Sequence, residues 1–310
     1  MEPFKFPHLK KNNRIPDGSP IFTICLYVFF ILLSLIFILP LYIVIVCSVS
    51  DASVVAKTNS LLLWPVGFHL DAYRVVLKNP NLLVGFKNTM LYLVMGTAMC
   101  YFVTLISAYT MSIKKLTGKK LIMTFFVIPW FFSGGLIPYF MLVNQLKMTN
   151  TIWVLTVPYA FSSWHMILMR TQFNSIPDEL KDAAIMDGAS DFTVLFRIFL
   201  PLSGAVSAVL ILYSVVGYWN MWYEPMIFIN KRQLYPLQSV LRQILIDDDQ
   251  SMMGMGGKTR AHMLSDNSAA SVSTLIKYAN IVLTTLPILC AYPFAQKYFV
   301  KGVMLGSVKG

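Results

Sequence analysis

Carboxylates are few in this chain: 14 Asp and Glu among 310 residues, with charged residues of both signs making up only 13% of the total. Soluble domains run nearer 25% charged and 45 to 50% apolar. With 56% hydrophobic residues and a mean hydropathy of +0.64, the composition excludes an ordinary water-soluble enzyme. Cysteine is equally scarce. Cys25, Cys47, Cys100 and Cys290 all lie inside apolar runs, and none has a Cys or His neighbour at metal-ligand spacing, so neither a disulfide framework nor a zinc site is indicated. The four histidines, His8, His69, His165 and His262, are scattered. His165 sits in an apolar run beside Trp164, where a local partner accounts for it better than a proton relay. No hydrolase, kinase or redox constellation is present.

What the chain does have is long apolar blocks. A bilayer core about 30 Å thick needs roughly 20 apolar residues in helical form, because helix adds about 1.5 Å per residue and satisfies its own backbone. Six uncharged stretches meet that length: 21–50, 88–113, 121–146, 148–169, 198–223 and 278–296. They predict an all-α integral membrane protein of six transmembrane helices. The first block follows a basic segment (Lys5, Lys10, Lys11, Arg14) but is too long for a secretion-signal core, and the residues before Cys47 make a poor lipoprotein cleavage site. Prolines at 40, 129, 138, 158, 287 and 293 predict kinks.

Lysine placement sets the orientation. Lys114, Lys115, Lys119 and Lys120 crowd the link between blocks two and three, whereas Lys147 is alone in the next link. The former is therefore cytoplasmic. By parity both termini and the segment 170–197 are cytoplasmic, with 1–20 a cytoplasmic N-terminal segment and 224–277 an external loop. The net charge of +11 is then a topology signal. Nucleic-acid binders gather their basic residues on one folded face, which argues against a nucleic-acid partner.

The segment 175–201 carries the most information. Ser175 and Ile176 precede Pro177, a residue suited to a first helical turn, Asp178 and Glu179 favour a helix N-terminus, and Gly188 supplies a left-handed stop. A second start follows at Ser190 and Asp191, with Phe192, Leu195, Phe196 and Phe199 forming an apolar face towards block five. Within it, Asp182-Ala183-Ala184, Gly188, Ile198 and Leu200-Pro201 are spaced as Asp-Ala-Ala, three residues, Gly, nine residues, Ile, one residue, Leu-Pro.

That spacing resembles the EAA loop of the permease subunits of binding-protein-dependent ABC importers, with Asp182 in place of the usual glutamate. Gly134-Gly135, Pro138-Tyr139, the run from Gly217 to Trp222, Leu234-Tyr235-Pro236-Leu237-Gln238 and the tail from Tyr292 to Gly302 extend the likeness over 21–310. They are similar to carbohydrate permeases, in particular the smaller subunit of maltose-type importers and a subgroup for complex and uronate-containing glycans. The resemblance implies the type I importer permease fold in a bacterial plasma membrane, and a coupling loop at 175–201 that docks on a separate ATPase. It implies a heterodimer with a second permease, two cytoplasmic ATPase subunits, and an external solute-binding protein, whether soluble or lipid-anchored. The substrate would be an oligosaccharide, and ATP and magnesium would belong to the ATPase, leaving this chain without a cofactor or a metal. Paired alanines permit close helix approach, and Asp182 offers a carboxylate to a basic partner group.

Other candidates carry two readings each. Tyr218, Trp219, Asn220, Trp222 and Tyr223 close block five, where aromatic faces and an amide suit a sugar path or, for the aromatics, an interfacial belt. Met252, Met253, Gly254, Met255, Gly256 and Gly257 fall in the external loop. In maltose-type permeases the corresponding loop enters the binding protein's cleft, and adaptable methionines fit that role; on composition alone a mobile loop fits equally. Gly257-Lys258-Thr259 is no phosphate-binding loop, since Met252 stands where the first glycine belongs. Asp247 to Asp249 lack the spacing of an EF-hand. The functional alternative is an ion-coupled secondary transporter of sugars or other small solutes, but such proteins place ionisable groups inside their spans and these six blocks have no Asp, Glu, Lys or Arg.

Overall fold

The computed structural model describes residues 20–51, 54–55, 62–78, 80–132, 134–244 and 275–290. Among these, every regular element is helical. In chain order they are α1 (Pro20–Ser48), α2 (Asp71–Lys78), α3 (Pro80–Ser112), α4 (Lys119–Phe131), α5 (Leu136–Gln145), α6 (Ser163–Asn174) and α7 (Asp178–Met186). There follow α8 (Asp191–Leu202), α9 (Gly204–Trp219), α10 (Tyr223–Phe228), α11 (237–244) and α12 (Leu275–Cys290). Short 3-10 turns at Ile152–Leu155 and Arg232–Leu234 join them.

Helix α1 has apolar side chains on all sides, and only Val46, Cys47 and Ser48 at its end are buried. That all-round pattern fits a helix solvated by lipid. Helix α3 is the spine. It spans 33 residues, about 50 Å at 1.5 Å per residue, and begins ahead of the expected 88–113 block. Lys87 ended the uncharged block but does not end the helix, because a lysine near a helix end places its ammonium towards water.

Three other blocks differ from single straight spans. Block 121–146 is two helices, α4 and α5, separated at Gly135, whose φ of +82° an ordinary residue rarely adopts. Block 148–169 starts with a 3-10 turn, and its helix begins only at Ser163, where the Ser162 hydroxyl accepts the His165 backbone N–H at 3.4 Å. That helix then continues past Arg170 to Asn174. Block 198–223 is divided between α8 and α9, which meet at 87°, and α9 stops at Trp219 with Asn220 as its cap. Among the described residues, two helices, α1 and α3, are each long and apolar enough to cross a membrane, or up to four spans if each bent pair counts as one; α12 is apolar and shorter.

Packing is organised along α3. Its C-terminal residues Leu105, Ala108, Tyr109 and Met111 join Met166, Met169 and Phe173 of α6, Val194, Leu195 and Phe199 of α8, and Leu210 of α9 in one buried cluster. Nearer its N-terminus, Tyr92 packs with Val143, Leu155, Tyr218 and Phe228, and Leu82 packs with Trp219, Leu237, Val240, Leu241, Leu275 and Ala279. Side chains of α3 also satisfy irregular backbone that lipid would leave unpaired. Asn88 donates to the carbonyls of Gln233 and Tyr235, Tyr92 donates to Leu234, and Thr89 accepts the Leu237 N–H at 2.8 Å.

Candidate functional site

The loop 175–201 folds as two helices against the end of α3. Pro177, with φ −56° and ψ 135°, occupies the cap position of α7 rather than its first turn. Ser175 instead ends α6, its hydroxyl donating to the Gln172 carbonyl. Asp178 and Glu179 lie in the first turn of α7, where carboxylates meet the positive end of the helix dipole. The helix stops in a Schellman motif: Ala189 N–H reaches the Ala184 carbonyl and Gly188 N–H reaches Ile185, both at 2.9 Å. Gly188 has φ +81°, and a Cβ placed on it meets nothing within 4 Å. Its requirement is conformational, not steric. Ser190 then caps α8 by accepting the Thr193 N–H.

Two polar contacts and one ring contact tie this unit to the spine. The Lys114 ammonium donates to Asp178, which holds that lysine above its ordinary pKa range through the hydrogen bond and the carboxylate's charge. The Tyr109 hydroxyl donates to the Asp191 carboxylate at 2.8 Å. Lys181 lies 5.4 Å from the Tyr109 ring centroid, a cation–π contact. Beneath them, Ala184 and Ala189 pack against the buried cluster around α3 and α6.

Much of the rest of α7 is bare, with Glu179, Asp182 and Met186 on the side away from Ala184. Met186 is 87% exposed, with Ile185 and Leu180 near half exposed and Ala183 and Asp182 exposed beside them. The two motif alanines therefore differ: Ala184 faces the chain's own core and Ala183 faces out. Ile198 and Leu200 are half-buried against the same core, while Pro201 is exposed. Ahead of Pro201, which has no N–H to give, the helix widens to a π turn at Leu195–Phe199 and Leu200 N–H bonds back to Leu195. That turn changes the apolar face expected from helical spacing. Val194, Leu195 and Phe199 are buried, but Phe192 and Phe196 are exposed.

The aromatic group at the end of α9 divides. Tyr218 and Trp219 are 5% and 4% exposed, enclosed by the chain's own helices. Trp219 donates its indole N–H to the Thr284 carbonyl at 3.2 Å and meets Phe86 edge-on. Asn220, Trp222 and Tyr223 are exposed. The Arg242 guanidinium lies 3.6 Å from the Trp222 ring centroid. Met252 to Gly257 lie outside the described residues. His165 finds its local partners in Cys100, 3.6 Å from its Nδ1, and the parallel ring of Tyr213.

Tyr109 and Lys114 were not singled out by sequence reading as parts of this site. The available signal was charge complementarity: five of the 14 acidic residues (Asp178, Glu179, Asp182, Asp187, Asp191) stand in one short segment, opposite the four lysines of 114–120.

The helical architecture is that of an importer permease. In a crystal structure of a bacterial ABC transporter involved in the import of the acidic polysaccharide alginate, one chain superposes with a TM-score of 0.81 at 26% identity, covering 92% of this chain and all of that one. Residues 105–304 match the family of binding-protein-dependent transport system inner membrane components. Protein LplC of Bacillus subtilis (strain 168) is 35% identical over 303 residues, covering 98% of this chain and 99% of that protein. The polygalacturonan/rhamnogalacturonan transport system permease protein YtcP of the same organism is 34% identical over 295 residues, covering 94% and 99%. The chain belongs to the family of binding-protein-dependent transport system inner membrane components. It is a membrane-embedded transport subunit, not an enzyme.

Proposed function

We propose that this chain is one of two non-identical permease subunits of an ATP-driven importer of uronate-containing oligosaccharides. In this reading it has six spans, with both termini in the cytoplasm, and 175–201 is its ATPase-coupling loop. Two ATPase subunits bind ATP and magnesium, and the external loop carrying Met252 to Gly257 meets the solute-binding protein. The substrate class is supported by the likeness to a polygalacturonan/rhamnogalacturonan permease and an alginate importer, whose named polysaccharides are both acidic.

The observation that carries the coupling role is α7 itself: a short helix fixed to its own chain through Ala184 and bare elsewhere, with Met186 and Ala183 exposed beside the carboxylates of Glu179 and Asp182. A helix built this way transmits displacement. Force on Met186, Ile185 and Ala183 passes through the Gly188 turn and the Ser190 cap into α8 and α9, through Asp191 into Tyr109 of α3, and through Asp178 into Lys114 just beyond the end of α3. Closing of the ATPases would thereby move the helices that border the sugar path, alternating between outward and inward openings.

Purification of the tagged chain from its native membrane tests this. The expected result is co-purification of a second permease and an ATPase, and ATP hydrolysis stimulated by binding protein loaded with an oligogalacturonide. Uptake that persists without ATP and collapses with an ionophore would instead establish ion-coupled transport.

A further inference from the structure

Beside Trp222 lies a cavity of about 180 Å³, lined by Gln238, Leu241 and Arg242 of α11 and Asn280, Ile281 and Thr284 of α12. Asn280 is 1% exposed, yet neither its amide nitrogen nor its amide oxygen has a hydrogen-bond partner. An amide buried with donor and acceptor both idle is costly. The neighbouring polar groups do not relieve it. Thr284 directs its hydroxyl to the backbone carbonyls of Asn280 and Ile281, and its own carbonyl is taken by Trp219. Arg242 is stacked on Trp222, which orients its planar fork while leaving the donors of its edge uncommitted. No carboxylate among the described residues pairs with it. A fixed cation, an unsatisfied amide and a second amide thus converge on a space sized for one sugar ring.

We infer that this cavity is a subsite for a single uronate residue of the transported chain, with Arg242 taking the carboxylate and Asn280 and Gln238 exchanging hydrogen bonds with ring hydroxyls. The assignment rests on the acidic-oligosaccharide reading above. A guanidinium binds a carboxylate through two parallel N–H bonds. An amide that both donates and accepts matches a hydroxyl, which does the same. A neutral ring would satisfy Asn280 but leave Arg242 without a counter-charge, so the subsite discriminates by charge, through unmet polar groups, more than by shape. The cavity adjoins the end of α9 that the proposed topology places on the external side, where sugar enters from the binding protein.

The test uses the importer co-purified with this chain, with its binding protein, in proteoliposomes. Uptake is compared for an oligogalacturonide and its carboxyl-reduced, neutral counterpart of equal length. Arg242→Gln is expected to lower the ratio of uronate to neutral uptake at least about tenfold, a factor equal to 1.4 kcal/mol of lost preference, and Arg242→Lys is expected to fall between. Asn280→Asp, which keeps the shape but adds a repelling carboxylate, is expected to lower the same ratio. Wild-type preference for uronate that survives both Gln and Asp variants, or equal loss of both sugars, overturns the subsite while leaving the importer reading intact. Wild-type transport of the neutral sugar alone overturns the acidic-substrate reading and the subsite with it.

Discussion

Gly188→Val is expected to leave the chain inserted and assembled but to lower sugar uptake about tenfold or more, with ATP hydrolysis no longer responsive to loaded binding protein. The reason is conformational. Gly188 holds φ +81°, and a Cβ added to it meets nothing within 4 Å. A left-handed conformation nonetheless costs an L-residue about 1–2 kcal/mol, and a β-branched residue is especially unsuited to it. Relief of that strain means abandoning the paired bonds from Ala189 to Ala184 and from Gly188 to Ile185, and with them the fixed angle between α7 and α8. Asparagine tolerates the left-handed region, so Gly188→Asn is expected to retain most uptake. Uptake and sugar-stimulated ATPase activity measured on the three purified complexes decide the matter. Equal activity of the valine and glycine forms would mean that coupling does not use this turn.

The second large effect is expected from Gly96→Ala, this time through volume. A Cβ at Gly96 lies 2.0 Å from Tyr218 Cζ and 2.3 Å from its hydroxyl oxygen. Alanine improves helix propensity by about 1 kcal/mol, which works in the opposite direction. Overpacking a closed interior costs typically 1–3 kcal/mol and sometimes more, and the Tyr218 ring, 5% exposed, has no open side to swing into. Destabilisation therefore wins, and the variant is expected to show reduced membrane abundance and a lowered melting temperature. Tyr218→Phe in the same chain should not restore it, because the ring carbon nearest the new methyl remains. Tyr218→Leu should restore part, because it removes the end of the ring. A double-mutant cycle on thermal unfolding of the purified complex measures this; independence of the two positions would contradict the packing.

Some of this was plain in the sequence. The apolar run that becomes α1 has few competing signals, and Pro177, Asp178 and Glu179, then Gly188, with Ser190 after it, announce a helix, a left-handed turn and a second helix. Charge alone misplaced the start of α3, since Lys87 interrupts an apolar block without interrupting a helix. Apolarity alone hid the divisions at Gly135 and Ser203 and the non-helical stretch ahead of Ser163, because a bent or broken segment is as apolar as a straight one. The hydrogen-bond and packing partners were the least legible. Tyr109 meets Asp191 across 82 positions of chain, Trp219 meets Thr284 across 65, and no local pattern records either. For the same reason Tyr218 and Trp219 looked interchangeable with Trp222 in a run of aromatics, although two are interior and one is exposed.

The central claim, that α7 is where ATP hydrolysis reaches this chain, is tested most directly by a single cysteine at Met186, the most exposed apolar side chain of that helix. The four native cysteines, Cys25, Cys47, Cys100 and Cys290, are first replaced, and a short bifunctional maleimide is applied to the purified complex. The coupling account predicts a crosslink between Met186→Cys and the ATPase subunit, with a yield that changes between nucleotide-free and ATP-bound states. Reaction of that cysteine in intact cells with a membrane-impermeant maleimide, and no crosslink to the ATPase, would contradict it.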